Sequence, residues 1–226
     1  MRAEDYLRAV SGGAEAFSSA ARATELSAAV PACPDWTMAD LIWHLGEVQH
    51  FWTQIVDRRL QSPDQVAREH RPADPDLGDW FDRVAARLVE ALGGADPDTE
   101  VWTWSDQHSV GWVQRRMAQE TAVHRWDAQS AGGGGEPIAA DLAVDGVDEF
   151  VRFMVPDGPP VLDQVRLTAS EGGQWDLGPA GGRRVELAGG ASDLLLVLWR
   201  RLPLERIEVR GDPEAARAFV GHTELE

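Results

Sequence analysis

Four consecutive glycines, Gly132 to Gly135, followed by Glu136 and Pro137, separate two stretches of chain with different hydrophobic rhythm. No regular element accommodates four glycines in a row, because each loses the most backbone freedom on ordering and packs nothing. The proline also restricts the residue before it. The 226-residue chain is therefore expected to fold as two domains, 1–132 and 137–226. Upstream of the seam, apolar residues recur every three or four positions. Downstream, short alternating runs are punctuated by glycine pairs.

The upstream rhythm predicts four helices. The first covers about 2–26 and carries Tyr6, Leu7, Val10 and Phe17, with Gly12 and Gly13 weakening its middle. Pro31 and Pro34 keep 30–36 out of helix, so that segment reads as an extended loop. Thr37 then suits an N-cap, with Asp40 three residues on where a carboxylate matches the helix dipole, and the second helix runs to about residue 60. A third covers about 78–92. After the break at Asp96-Pro97-Asp98, a fourth covers about 109–130. Four such helices suggest a bundle, in which facing side chains can build a metal or ligand site. Downstream, a helix over 142–153 precedes strands over 161–169, 174–177 and 183–187, with turns at Gly172-Gly173 and Gly181-Gly182. A helix over 191–201, a strand over 206–210 and a closing helix over 213–220 complete a small α+β domain.

Charge narrows the function classes. Asp and Glu number 38 against 21 Lys and Arg, a net charge of −17. Affinity for nucleic acid and anionic lipid rests on Lys and Arg, so neither is an expected partner. No window approaches the roughly 18 uninterrupted apolar residues of a membrane span, and the first twenty residues lack the apolar run of a signal peptide. With Cys33 as the single cysteine, the expectation is a cytoplasmic protein without disulfides. Seven of the ten tryptophans lie between Trp36 and Trp112, which suits either a core or the lining of a pocket.

Histidine is the richest source of chemistry among the remaining residues. His124 follows Glu120 by four residues in the fourth helix, so the two project from one face. His44 lies in the second helix. If those helices face each other, His44, Glu120 and His124 offer two imidazoles and a carboxylate, the donor set of open catalytic zinc sites. The same spacing is common in ion pairs on solvated helix faces, so spacing alone leaves both readings open. Asp40 precedes His44 by one turn and Asp127 follows His124 by three residues. Either carboxylate can accept the second imidazole N–H and fix its tautomer, although Asp40 is equally explained by its place at the helix start. Arg116, one turn before Glu120, either steers an anionic substrate toward the ion or pairs with Glu120. Its neighbour Arg115 leaves that assignment open. His50, His70, His108 and His222 have no comparable partners. Cys33 sits near no base, and the glycine run lacks the flanking strand and helix of a phosphate loop.

The stretch from Val30 to Leu45, with Val30-Pro31, Cys33-Pro34, Trp36-Thr37, Asp40-Leu41 and His44-Leu45, resembles the opening motif of the mycothiol-dependent maleylpyruvate isomerase family. Trp112, Arg115, Arg116, Ala118, Glu120, Val123, His124, Arg125, Asp127 and Ala128 are similar to its second motif. Asp193 to Arg201, followed by Val209 to Pro213, is similar to its C-terminal domain. The resemblance implies a DinB-like four-helix bundle followed by a small sterol-carrier-like α+β domain covering the ligand cleft. It implies Zn2+ or another divalent metal on His44, Glu120 and His124, and mycothiol, the thiol of actinomycetes, as co-substrate. Arg116 is the catalytic candidate, Asp40 and Asp127 are the residues expected to orient the metal ligands, and Arg201 and Trp112 are the candidates for thiol or substrate binding. The implied activity is isomerisation or S-transfer on a small electrophilic, carboxylated substrate. The same scaffold also suits a thiol-independent hydrolase or biosynthetic enzyme, or a small-molecule binding protein without catalysis.

Overall fold

The computed structural model describes residues 1–155, 164–178 and 184–223. The chain divides into two compact units, Met1–Glu136 and Pro137–Glu226. The first comprises α1 (Ala3–Arg22), a hairpin of β1 (Ala29–Val30) and β2 (Cys33–Thr37), α2 (Met38–Asp57), α3 (Leu77–Gly94) and α4 (Val110–Ala131).

The four helices form a ring in which α1 packs against α4 and α3, and α2 packs against α3 and α4. The fully buried Phe17, Met38, Leu41, Leu45, Leu77 and Phe81 belong to one apolar cluster, each contributing about 1.5–3 kcal/mol by leaving water. The glycines expected to weaken α1 do not interrupt it. Gly13 lies where α1 meets α4, and a side chain there would sit 3.0 Å from the Thr121 methyl. Gly46 serves the same purpose between α2 and α3, since any Cβ would run into the Trp80 ring.

Two differences from the expected elements have physical causes. Helix α1 ends at Arg22 rather than near residue 26, because the chain turns there through Thr24 N–H to Ala21 O and Ala28 N–H to Glu25 O. The segment expected as a loop is instead paired, with Ala29 opposite Thr37 and Val30 opposite Cys33. Its prolines are compatible with this because a two-stranded hairpin has only edge strands, where a missing N–H is tolerated. The hairpin feeds directly into α2. There the Thr37 hydroxyl accepts from the Asp40 N–H, while the Asp40 carboxylate accepts from the Thr37 N–H at 3.0 Å, a reciprocal cap.

The second unit contains α5 (Ala140–Phe153), β3 (Gln164–Ala169), β4 (Gln174–Leu177), β5 (Arg184–Gly189), α6 (Ala191–Leu198), β6 (Glu208–Arg210) and α7 (Pro213–Gly221). Its sheet runs β4-β3-β5-β6, with β3 and β5 parallel and both outer pairs antiparallel. Val165 and Leu167 stand beside Val185 and Leu187, and all four are buried on one face, as strand alternation requires. Helix α6 is shorter than expected because Arg200 adopts φ 60°, ending the helix, and Leu202 N–H bonds back to Leu196 O. The last expected strand begins later, since Leu204–Arg206 forms a 3-10 turn. The expected turn at Gly181-Gly182, and the starts of the expected strands at 161–163 and 183, lie outside the described residues. Among the described residues, no helix is long and apolar enough to cross a membrane.

Candidate metal centre

Because α2 and α4 are neighbours in the bundle, the residues they direct at each other can converge. His44 of α2 meets Glu120 and His124 of α4, which lie one turn apart on a single stripe. Glu120 Oε1 is 3.1 Å from His124 Nε2 and 3.5 Å from His44 Nε2. One ligand atom from each residue lies within 4.8 Å of the others. Donors around a tetrahedral zinc with bonds of about 2.0–2.1 Å stand about 3.3–3.5 Å apart, so the three side chains close on such an ion with small adjustments.

The surroundings fix this geometry. Asp127 is fully buried and its Oδ2 lies 2.9 Å from His124 Nδ1. An Nδ1–H donated to Asp127 leaves the Nε2 lone pair aimed at Glu120 Oε1. Two lone pairs at that distance repel unless a proton or a cation stands between them. Without metal a proton does so. Burial pulls the His124 pKa down, but the Glu120 charge and the hydrogen bonds to Asp127 and Glu120 overcome it and raise it to about 9. Burial likewise opposes ionisation of Glu120. The charge and hydrogen bond of His124, helped by His44 and Arg116, nonetheless hold it well below the usual carboxylate range. Arg116 is 4% exposed and donates from a guanidinium NH2 to Glu120 Oε2 at 3.1 Å. One carboxylate oxygen thus faces both histidines while the other is engaged by the arginine. An ionised carboxylate with two converging imidazoles suits a divalent cation, so the donor set fits the metal implied by the sequence.

The remaining candidates are distributed differently. Asp40 does not orient His44. Among the described residues its oxygens accept from Thr37 and, at 2.6 Å, from Arg71, which with the helix cap holds its pKa down at about 2. Trp112 is buried two turns before Glu120 on the same stripe, its ring 4.7 Å from Trp104 and 5.5 Å from Trp52. In the second unit, the Arg200 guanidinium donates to the carbonyls of Val220, Gly221 and Thr223 at 2.8–3.0 Å, tying down the end of α7. Arg201 donates to Trp199 O and lies 5.8 Å over the Trp199 ring. His50 pairs with Glu69, and His222 with the Ala218 carbonyl.

The residue that spacing did not single out is Trp36. Its ring lies 4.6 Å from the His44 ring and 6.3 Å from that of His124. It stands eight residues before His44 and outside α2, so helical spacing does not connect the two; Trp36 belongs to β2 of the hairpin.

Residues 7–129, more than half of the chain, match the family model of the mycothiol maleylpyruvate isomerase N-terminal domain. The chain belongs to this family. The C-terminal domain model of the same family matches residues 141–218. No curated protein matches the chain. Among solved structures, the crystal structure of the mycothiol-dependent maleylpyruvate isomerase matches with a TM-score of 0.75, and a histidine-to-alanine mutant of it with 0.74. Each is 14% identical, covering 94% of this chain and 95% of the other. At that identity the likeness shows the fold, a DinB-like bundle followed by a small α+β domain.

Proposed function

We propose that this chain is a divalent-metal, mycothiol-dependent isomerase acting on a small, electrophilic, carboxylated substrate. The observation that carries the reading is the convergence of His44, Glu120 and His124 from two helices on one point. Zinc is the proposed metal, because two imidazoles and one carboxylate with an open fourth position match catalytic zinc sites. A divalent ion held there would supply Lewis acidity and favour the thiolate form of an approaching thiol. The reaction served is reversible addition of that thiol to an activated cis double bond. Rotation about the resulting single bond and elimination then release the trans isomer and return the thiol.

The chain's own side chains prepare the site. Asp127 takes the Nδ1–H of His124 and so presents Nε2 inward. Arg116 holds Glu120 Oε2 and leaves Oε1 to face the two histidines. Its depth of burial supports a positioning role through Glu120 in place of direct contact with substrate. In the second unit Arg201 is the proposed group for thiol or substrate carboxylate, as the resemblance implies, while Arg200 secures the end of α7.

The test is direct. Zinc-loaded protein with mycothiol should convert maleylpyruvate to its trans isomer, and should fail without either component or with Glu120→Gln. Equal turnover by metal-stripped protein, or in the absence of thiol, contradicts the proposal.

A further inference from the structure

The two histidines of the centre are supported in different ways. His124 is nearly buried, and its Nδ1 is fixed by Asp127 at 2.9 Å. The His44 side chain is 34% exposed, and among the described residues no hydrogen bond reaches its second nitrogen. The carboxylate one turn earlier, Asp40, is held by Thr37 and Arg71. An imidazole without such a partner can turn about its side-chain bonds, and a turned ring no longer points Nε2 at Glu120. Something other than a hydrogen bond must hold it.

We propose that Trp36 is a positioning residue of the metal centre, its indole fixing His44 by packing as Asp127 fixes His124 by hydrogen bonding. The indole lies 4.6 Å from the His44 ring at 47°, and 6.3 Å from the His124 ring at 30°, so one ring backs both ligands. The mount is firm on each side. Trp36 stands at the end of β2, immediately before the capping Thr37, whose partner in the hairpin is Ala29. The Met38 N–H donates to Ala28 O at 2.8 Å. The indole also packs against the apolar cluster of the bundle, so its position is set by the core. A rigid aromatic face narrows the rotamers open to His44 and excludes water from one side of the donors, which lowers the entropic cost of bringing the ligands together. Trp43 gives the contrast. It is also half-buried against the same cluster, but it stacks on Trp80 at 5.0 Å, away from the ligand rings.

This inference rests on the metal reading proposed above, and the experiment separates the two. Zinc affinity is measured by chelator competition for the wild type, Trp36→Leu, Trp36→Phe and Trp43→Leu. The visible spectrum of each cobalt-loaded protein and the melting temperature of each metal-free protein are also recorded. Trp36→Leu is expected to bind zinc about 10- to 100-fold more weakly, as when a group orienting a ligand is lost, with an altered cobalt spectrum. Trp36→Phe should recover most of the affinity and the wild-type spectrum. Trp43→Leu should keep both, whatever it costs in melting temperature. Wild-type zinc affinity and spectrum in Trp36→Leu, or an equal loss in Trp43→Leu, overturn the proposal alone. A wild-type protein that takes up no zinc overturns the metal reading and this proposal with it. Should Trp36→Leu not fold, Trp36→Met, a flexible apolar chain of similar reach, makes the same comparison with Trp36→Phe.

Discussion

Helices α4 and α6 are both buried and are built from opposite materials. In α6 the run Leu194 to Leu198 is entirely apolar and buried. In α4, Gln114, Arg116, Gln119, Thr121, His124 and Asp127 are all buried among the apolar residues. A polar group taken from water without a partner costs about 1–3 kcal/mol, and a charge costs more. The buried groups of α4 are therefore supported only where partners are supplied. Gln114 donates to Leu92 O, Thr121 accepts from Gln49, Asp127 holds His124 and Arg116 holds Glu120. The two helices show two ways of being buried, one with apolar side chains alone and one with polar side chains held by partners.

That division can be broken by substitution. Leu195→Ala in α6 should cost about 2–5 kcal/mol, read as a lower urea midpoint, while the protein that remains folded binds zinc with unchanged stoichiometry. Loss of zinc by the folded fraction would break the distinction. In α4, Glu120→Gln should weaken zinc more than about 100-fold, because it removes the one anionic donor among only three protein ligands. Wild-type affinity in a competition assay would contradict this. Asp127→Asn should cost about 10- to 100-fold in zinc affinity. Arg116→Ala should lower zinc affinity and turnover together, because the guanidinium acts through Glu120. A fall in turnover with zinc binding intact would instead restore Arg116 as a group that meets the substrate.

The pH dependence sharpens the same contrast. Metal-free His124 has its pKa raised from 6.5 to about 9, so a proton must leave before a cation enters. Zinc affinity should rise about tenfold per pH unit between pH 6.5 and 9, then level off. The same raised pKa stabilises the metal-free fold fully below pH 6.5, and that contribution is lost as pH rises through about 9. Calorimetric melting with and without zinc across this range checks both. The smallest effect belongs to the helix cap. Thr37→Ala should cost about 1 kcal/mol, with little change in zinc affinity if Trp36 keeps its place.

Much of this was legible in the sequence because its signals are local. Helical spacing, the Thr37 cap and the glycine seam need no knowledge of distant residues, and the Glu120–His124 pair follows from one helical turn. Their approach to His44 depends on which helices are neighbours, which periodicity does not encode, and the family resemblance supplied it. One-turn spacing leaves Asp40 between a role at His44 and one at the helix start, because it does not reveal a competitor such as Arg71, 31 residues away. Nothing in the spacing gives Trp36 a role at the centre, because its proline-rich segment reads as a loop and the pairing of Ala29 with Thr37 shows only in the structure. The sequence pattern extends α6 to residue 201 because a non-glycine residue at φ 60° leaves no compositional mark.

The central claim is that side chains of two helices hold one divalent ion that a thiol can reach. X-ray absorption at the zinc edge of the loaded protein, recorded before and after adding mycothiol, tests it most directly. The account predicts one zinc per chain with two imidazoles and oxygen donors at about 2.0–2.2 Å, joined on addition of thiol by one sulfur at about 2.3 Å. A protein that binds no stoichiometric zinc, or a coordination shell that mycothiol leaves unchanged, would contradict it.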